Sequence, residues 1–162
     1  MKIALLGYGK MGRAVESIAI KRGHTIVSKI DLIKNNDISN ADVAVNFSTP
    51  TSAFQNIKEA FNNKISVVSG TTGWLSDLEK IEKLAIQKNV GFLYSSNFSI
   101  GVNLFFQLNK SLSKIMRSYN YSTELSEIHH SSKIDSPSGT AIYLAKDIIS
   151  NSNYKEWSTE ND

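Results

Sequence analysis

Short apolar runs alternate with amphipathic segments through the first hundred residues. The runs are rich in β-branched residues and are bounded by glycine or polar residues, which is typical of strands. They lie at 2–7, 24–31, 41–48, 65–70 and 90–98. Three of the segments between them repeat apolar residues every three to four positions, as helices do. Because strands and helices in this order form right-handed crossovers, the pattern predicts an α/β fold: a Rossmann-type, doubly wound parallel sheet.

The pattern changes after the first hundred residues. Apolar spacing over 99–116 predicts a long amphipathic helix, alternation over 120–130 predicts a strand, and a last helical stripe begins at Ala141. One strand alone leaves its N–H and C=O groups without partners. We therefore predict a dinucleotide-binding domain over 1–98 and an incomplete α+β substrate-binding and oligomerisation domain over 99–162. Its missing strands would come from another chain or from absent C-terminal sequence.

Composition narrows the classes of function. The chain has 18 Lys and Arg against 15 Asp and Glu, and no basic run that could follow a phosphate backbone, so we expect no nucleic-acid partner. It has no cysteine, which excludes disulfides, thiolate zinc sites and cysteine nucleophiles and is compatible with a cytoplasmic location. No segment approaches the roughly 18 consecutive apolar residues of a membrane span, so we expect no membrane partner.

The stretch GYGKMG at 7–12 matches G-x-G-x-x-G between a predicted strand and a predicted helix. Its glycines allow a tight turn, close approach of a pyrophosphate and close packing of the helix on the strand. The first N–H groups of the helix and its dipole favour an anion. The stretch predicts a dinucleotide site, and the alternative is a turn that only connects strand and helix.

Asp31 lies about 20 residues further on, at the end of the second predicted strand. Its carboxylate suits the hydroxyls of an adenosine ribose. Leu32 follows it, where an arginine would accommodate the 2′-phosphate of NADPH. This favours NADH slightly over NADPH, although Lys29 or Lys34 remains open as a partner for that phosphate.

Two polar loops follow later strands. GTTG at 70–73 and SSNF at 95–98 each come directly after an apolar run. In an open α/β sheet, ligands bind outside the carboxyl ends of the strands, so both loops are candidates for the nicotinamide end of the cofactor. The alternative is an ordinary strand-to-helix connection.

The stretch EIHHSSKIDSPSGTA at 127–141 concentrates groups that move protons and hold anions. His129, His130 and Lys133 precede Ser136-Pro137, which predicts a helix N-cap followed by proline at the first helical position. The free N–H groups of the next three residues would then bind a carboxylate or phosphate. A histidine pair alone is more often structural, and its spacing is poor for zinc, so no metal site is predicted.

These motifs resemble, in order, those of the 4-hydroxy-tetrahydrodipicolinate reductase (dihydrodipicolinate reductase) family. GYGKMG, GTTG, SSNFSIGVN and above all EIHHSSKIDSPSGTA carry the resemblance, up to about Ile149. It implies a homotetrameric enzyme of diaminopimelate and lysine biosynthesis that reduces a cyclic dicarboxylate with NADH or NADPH. It also implies that the family's C-terminal part is missing from this sequence.

The resemblance also implies roles for individual residues. His129 would be the general acid/base and Lys133 a proton donor, while the substrate carboxylate would be held by His130, Gly139 and Thr140. The cofactor would be held by Gly7, Tyr8, Gly9, Lys10, Met11, Asp31, Gly70, Thr71, Thr72, Ser95, Ser96, Asn97 and Phe98. Two alternatives stay open: another nicotinamide-dependent oxidoreductase, such as an amino-acid dehydrogenase, or a non-catalytic dinucleotide-binding fragment.

Overall fold

The computed structural model describes residues 1–30, 37–129, 131 and 136–159. The chain forms two compact units, Met1–Ser96 and Asn97–Asp162. Within the described ranges, no helix is long and apolar enough to cross a lipid bilayer.

The first unit contains the predicted parallel sheet. All of its strand pairs are parallel, and the strand order β2-β1-β3-β4-β5 reverses direction between β1 and β3. The strands are β1 Lys2–Leu6, β2 Thr25–Ile30, β3 Val43–Asn46, β4 Ser66–Ser69 and β5 Phe92–Tyr94. Because such a reversal opens a crevice at the carboxyl ends of the two strands, it is where an open α/β sheet binds ligands.

Helices connect these strands and bury both faces of the sheet. They are α1 Lys10–Lys21, α2 Pro50–Asn62 and α3 Leu78–Lys88, the last preceded by a 3₁₀ turn at Leu75–Asp77. Ala4 and Leu6 face the larger core with α2 and α3, where Ile57, Phe61 and Ile81 are completely buried. Ile3 and Leu5 face the smaller core beside α1. This alternation explains why β1 is apolar from Ile3 to Leu6.

The described residues of the second unit form two helices packed against each other, α4 Ile100–Met116 and α5 Gly139–Asn151. Their interface includes the stacked rings of Phe106 and Tyr143, whose centroids are 4.2 Å apart. The side-chain amide of Asn109 donates a hydrogen bond to the Leu144 carbonyl at 3.2 Å. Both helices were predicted by their apolar spacing.

The apolar stripe that predicted α4 lies mostly in the open. Six apolar side chains of this stripe are between 51% and 78% exposed. They are Ile100, Leu104, Phe105, Leu108, Leu112 and Ile115. The face that packs on α5 is instead the one that carries Phe106 and Ser113, both buried.

The prediction of a strand over 120–130 was wrong for the described residues of this range. Residues 120–129 form neither strand nor helix. Alternation of polar and apolar residues stabilises a strand only where a neighbouring strand accepts its hydrogen bonds, and the described residues of this unit provide no such neighbour.

Candidate functional site

The glycine-rich turn joins the carboxyl ends of three strands. The Gly7 N–H donates to the Ile30 carbonyl of β2 at 2.7 Å, and its φ of +99° is one that other residues rarely adopt. A Cβ on Gly7 would lie 2.2 Å from the carbonyl oxygen of Phe47, which follows β3. A Cβ on Gly12 would lie 2.3 Å from the Gly7 carbonyl oxygen. Both positions therefore require glycine so that α1 can begin directly against the sheet.

The start of α1 is exposed and open. Gly9 is the N-cap, and no side chain among the described residues caps it by a hydrogen bond. A Cβ on Gly9 would meet no described atom within 4 Å. Lys10 and Met11 are also exposed. The first N–H groups of a helix lack intrahelical acceptors, so this start fits a pyrophosphate in both space and charge.

A charged cluster lies beside the turn. The Tyr8 hydroxyl donates to Glu16, and the Lys29 ammonium lies 2.5 Å from the same carboxylate. The Lys29 Nζ and the Arg13 guanidinium lie 4.9 Å and 5.2 Å from the centre of the Tyr8 ring. The hydrogen bond from Lys29 lowers the pKa of Glu16, and the bond to Glu16 raises the pKa of Lys29. The lysine is therefore held as a cation by a carboxylate of the chain itself.

A buried polar network fixes the ends of β3 and β4. Asn46 is fully buried, and its side-chain amide donates to the Ser69 hydroxyl at 3.0 Å. The Ser48 hydroxyl donates to Asn46 at 2.8 Å, and the Ser48 N–H donates to the Thr71 hydroxyl at 2.9 Å. Because Thr71 is 5% exposed, its side chain belongs to this network.

Phe47 separates the two glycine loops at this edge. A Cβ on Gly70 would lie 2.1 Å from the Phe47 ring, so glycine is needed there as well. Thr72, two residues on, is exposed. Sequence reasoning missed Phe47, because nothing in its local sequence shows that it touches loops far away along the chain.

The third loop begins at the same edge of the sheet. The Ser95 N–H donates to the Ser69 carbonyl of β4 at 3.2 Å, and Ser96 ends the first unit. Asn97 belongs to the second unit, where its side-chain oxygen accepts the Ser99 N–H at 2.8 Å. Phe98 is 44% exposed. The first unit thus places Gly7–Met11, Gly70–Thr72 and Ser95–Ser96 at one edge.

The second unit holds the described part of the histidine motif. His129 Nε2 lies 2.8 Å from a carboxylate oxygen of Glu127. The other carboxylate oxygen accepts the Ser138 N–H at 2.8 Å, and the Ser138 hydroxyl also donates to this carboxylate. His129 therefore lies at the start of α5, together with the exposed Gly139 and the half-buried Thr140.

The α5 helix begins two residues later than predicted. Its N-cap is Ser138, whose hydroxyl accepts the Ala141 N–H at 3.0 Å, and not Ser136. Either serine could act as a cap by residue type, but Ser138 is buried against Glu127 and its hydroxyl reaches the third helical N–H. One of the three N–H groups predicted to hold an anion, that of Ser138, is consequently taken by Glu127.

Glu127 was quoted in the motif but given no role by the sequence. Hydrogen bonds from the Ser138 hydroxyl, from His129 and from the Ser138 N–H lower its pKa to about 2. The available signal was a carboxylate two residues before a histidine and ahead of a Ser-Gly-Thr helix start. Three predicted site residues, Asp31, His130 and Lys133, lie outside the described residues.

A glycine-rich turn that opens a helix directly on a parallel sheet is typical of the dinucleotide-binding domain of a nicotinamide-dependent oxidoreductase. Comparison with known proteins agrees. The chain belongs to the dihydrodipicolinate reductase family: residues 1–98 match the family model for the N-terminus and residues 101–161 the model for the C-terminus.

Individual relatives are named 4-hydroxy-tetrahydrodipicolinate reductase. The chain is 50% identical to the 4-hydroxy-tetrahydrodipicolinate reductase of Christiangramia forsetii, over 97% of this chain and 68% of that protein. It is 34% identical to that of Archaeoglobus fulgidus, over 90% of this chain and 64% of that protein. The chain thus spans about two thirds of the length of these relatives.

A solved structure supports the fold. The dipicolinate-bound dihydrodipicolinate reductase from Paenisporosarcina sp. TG-14 matches with a TM-score of 0.72 at 24% identity, over 100% of this chain and 70% of that one. At this level of identity the likeness concerns the fold, and it includes both units.

Proposed function

We propose that the protein catalyses the nicotinamide-dependent reduction of 4-hydroxy-tetrahydrodipicolinate to tetrahydrodipicolinate, a step of diaminopimelate and lysine biosynthesis. Membership of the family and 50% identity to a reductase of that name support the reaction. Residues 1–98 serve as the dinucleotide-binding domain and 99–162 as part of the substrate-binding domain. The observation that carries the proposal is the helix start at α5, which joins a histidine to groups that can bind a carboxylate.

The chain holds the cofactor through the carboxyl edge of its sheet. The bound nicotinamide dinucleotide supplies a hydride. The N–H groups of Gly9, Lys10 and Met11 at the start of α1 hold its pyrophosphate, with Gly7 and Tyr8 forming the turn. The Asp31 carboxylate accepts hydrogen bonds from the hydroxyls of the adenosine ribose. The nicotinamide half is held by Gly70, Thr71, Thr72, Ser95, Ser96, Asn97 and Phe98.

The histidine motif supplies the proton that the substrate takes up during the reduction. Loss of the 4-hydroxyl as water first leaves a double bond between C3 and C4 of the substrate ring. Addition of a hydride at C4 of this dehydrated ring then moves negative charge toward C3 and the ring nitrogen, so a nearby acid must supply a proton. His129 supplies that proton, and Lys133 adds positive charge and a second acid. His130 and the N–H groups of Gly139 and Thr140 hold a substrate carboxylate.

The Lys29 contacts support a preference for NADH. An amine that could pair with a 2′-phosphate is held by Glu16 at 2.5 Å and bonded to the Tyr8 hydroxyl at 3.4 Å. Leu32 supplies no guanidinium. Binding of NADPH must therefore compete with an existing ion pair.

The family resemblance also supports a homotetramer, the state expected of a full-length relative. The exposed apolar stripe of α4 is a surface that further protein covers in a stable assembly. Light scattering coupled to size exclusion measures the mass directly. A mass of four chains is expected, and a monomer at working concentration would contradict the tetramer.

The direct test replaces the proposed acid. His129→Gln should lower kcat by about 10²-fold or more, the usual size of a general acid/base effect, while the Kd of NADH stays unchanged. His24→Gln, at a histidine beside β2, is the matched control and should leave kcat unchanged. An unaltered rate in His129→Gln would remove His129 from the reaction. Tight NADH binding without any turnover in the unaltered protein would favour the non-catalytic alternative.

A further inference from the structure

Glu127 connects His129 to the first turn of α5. One of its carboxylate oxygens accepts the Ser138 N–H at 2.8 Å, and the other lies 2.8 Å from His129 Nε2. The Ser138 hydroxyl, which caps the helix, also donates to it. Three groups from two parts of the chain thus meet at one carboxylate.

This contact joins the His129 ring to the start of α5 through Glu127. Residues 120–129 form neither helix nor strand, so within the described residues no ladder of backbone hydrogen bonds fixes this segment. The His129 side chain is 38% exposed and that of Glu127 26% exposed. Ser138, by contrast, is buried and part of a regular helix start. Glu127 therefore links the His129 imidazole to α5, and few other described contacts hold this ring.

The contact also distinguishes the two ring nitrogens. A neutral imidazole has one N–H donor and one acceptor nitrogen. A carboxylate can only accept, so Nε2 must carry a proton to bond to Glu127. The lowered pKa of Glu127, about 2, keeps it an acceptor at neutral pH. The nitrogen that remains to exchange a proton with a substrate is Nδ1.

We propose that Glu127 is a positioning residue for the proton transfer, holding the His129 ring through Nε2 so that Nδ1 is the atom that delivers the proton. The inference rests on the proposed function, in which His129 is the acid. The proton leaves Nδ1 of the imidazolium for the substrate carbon that became negative on hydride addition. The neutral ring that remains keeps its proton on Nε2, bonded to Glu127.

Glu127 fixes the spacing between this acid and the proposed carboxylate site as well. A Cβ on Gly139 would meet no atom of the described residues within 4 Å, so the helix start is open at that point. The Ser138 N–H is already bonded to Glu127, which leaves the next two N–H groups, of Gly139 and Thr140, for a substrate carboxylate. The same helix turn therefore orients both the acid and the anion site.

A double-mutant cycle tests the proposal. Glu127→Gln should lower kcat by about tenfold, a part of the loss expected on removing His129 itself, with the KM for NADH unchanged. In a His129→Gln background the same change should have no further effect, because Glu127 acts only through His129. An equal tenfold loss in both backgrounds would overturn the proposal. Activity that does not depend on His129 at all would instead contradict the proposed function.

Two further measurements separate positioning from folding. Glu124→Gln changes an exposed carboxylate three residues away and should leave kcat unchanged. Nitrogen NMR of ¹⁵N-histidine-labelled protein needs no variant and no turnover. It should show the neutral His129 ring protonated at Nε2, and protonation at Nδ1 would overturn the proposal even if Glu127→Gln fails to fold.

Discussion

The starts of α1 and α5 are chemically alike but lie in different surroundings. Each helix begins at glycine-containing polar sequence that favours binding of an anion. At α1 no described side chain caps the helix, and a Cβ on Gly9 would meet open space. At α5 the Ser138 hydroxyl caps the helix and Glu127 accepts the Ser138 N–H.

This difference separates two tasks. No described side chain caps the start of α1, which suits the pyrophosphate of the proposed cofactor. The start of α5 uses one N–H to anchor a carboxylate of the chain, and this carboxylate holds a histidine. Under the proposed function, one helix start binds its ligand directly, and the other positions a proton donor beside a smaller anion site.

The largest effect is expected at the start of α1. Gly9→Val should weaken the binding of NADH by about 10²-fold. A side chain at this position prevents the pyrophosphate from forming one or more charge-assisted hydrogen bonds with the helix start. The fold should survive, since the glycine faces open space. Gly7→Ala is the contrasting variant: its Cβ would lie 2.2 Å from the Phe47 carbonyl oxygen, so stability should fall as well. Titration with NADH measures the affinity of each variant, and thermal unfolding measures its stability. Full NADH affinity in folded Gly9→Val would contradict this role of α1.

A smaller effect is expected at the start of α5. Gly139→Val should raise the KM for the dicarboxylate substrate by about tenfold, the equivalent of one hydrogen bond to a charged group. The KM for NADH is the internal control and should not change. A normal KM for the substrate would show that the carboxylate binds elsewhere.

A third change alters the charged cluster beside α1. Glu16→Gln should tighten NADPH binding relative to NADH binding by about fivefold, because it removes the carboxylate that competes with the 2′-phosphate for a partly exposed ion pair with Lys29. Adding Lys29→Met should abolish the gain. Glu79→Gln, which breaks a surface pair with Lys83 on α3, is the matched control. An unchanged ratio of the two Kd values would show that Lys29 does not decide between the cofactors.

The smallest effect concerns stability at acid pH. The pKa of Glu127 falls on folding from its ordinary value of 4.5 to about 2, so its contribution to the free energy of unfolding is complete above pH 4.5. That contribution is lost as the pH falls through about 2. Glu127→Gln should therefore be less stable at neutral pH, and the difference from the unaltered protein should shrink as the pH falls toward 2. Denaturant unfolding over this range checks it, and a constant difference would contradict the depressed pKa.

The sequence predicted the first unit better than the second, for a physical reason. The strands of the sheet are short apolar runs because both faces are buried, and that signal is local. Of the glycines in the turn, Gly12 likewise reflects a local contact, with the Gly7 carbonyl oxygen, whereas Gly7 itself packs against the distant Phe47. The sequence therefore predicted the fold and the edge of the sheet that carries the glycine loops.

The errors came from contacts between distant residues. Alternation over 120–130 predicted a strand, although the sequence of this unit offered no second strand to pair with it. Ser136 and Ser138 are equally good caps by type, and the choice depends on Glu127, which is 11 positions away from Ser138. Phe47 and the Glu16–Lys29 pair also owe their positions to packing that no local pattern contains.

A crystal structure of the protein with NADH and dipicolinate would test the contrast between the two helix starts most directly. We predict pyrophosphate oxygens about 3 Å from the first N–H groups of α1, with Glu127 still bonded to Ser138 and His129 while a dipicolinate carboxylate contacts Gly139 and Thr140. A dipicolinate carboxylate bound to the Ser138 N–H in place of Glu127, with His129 released, would contradict the account.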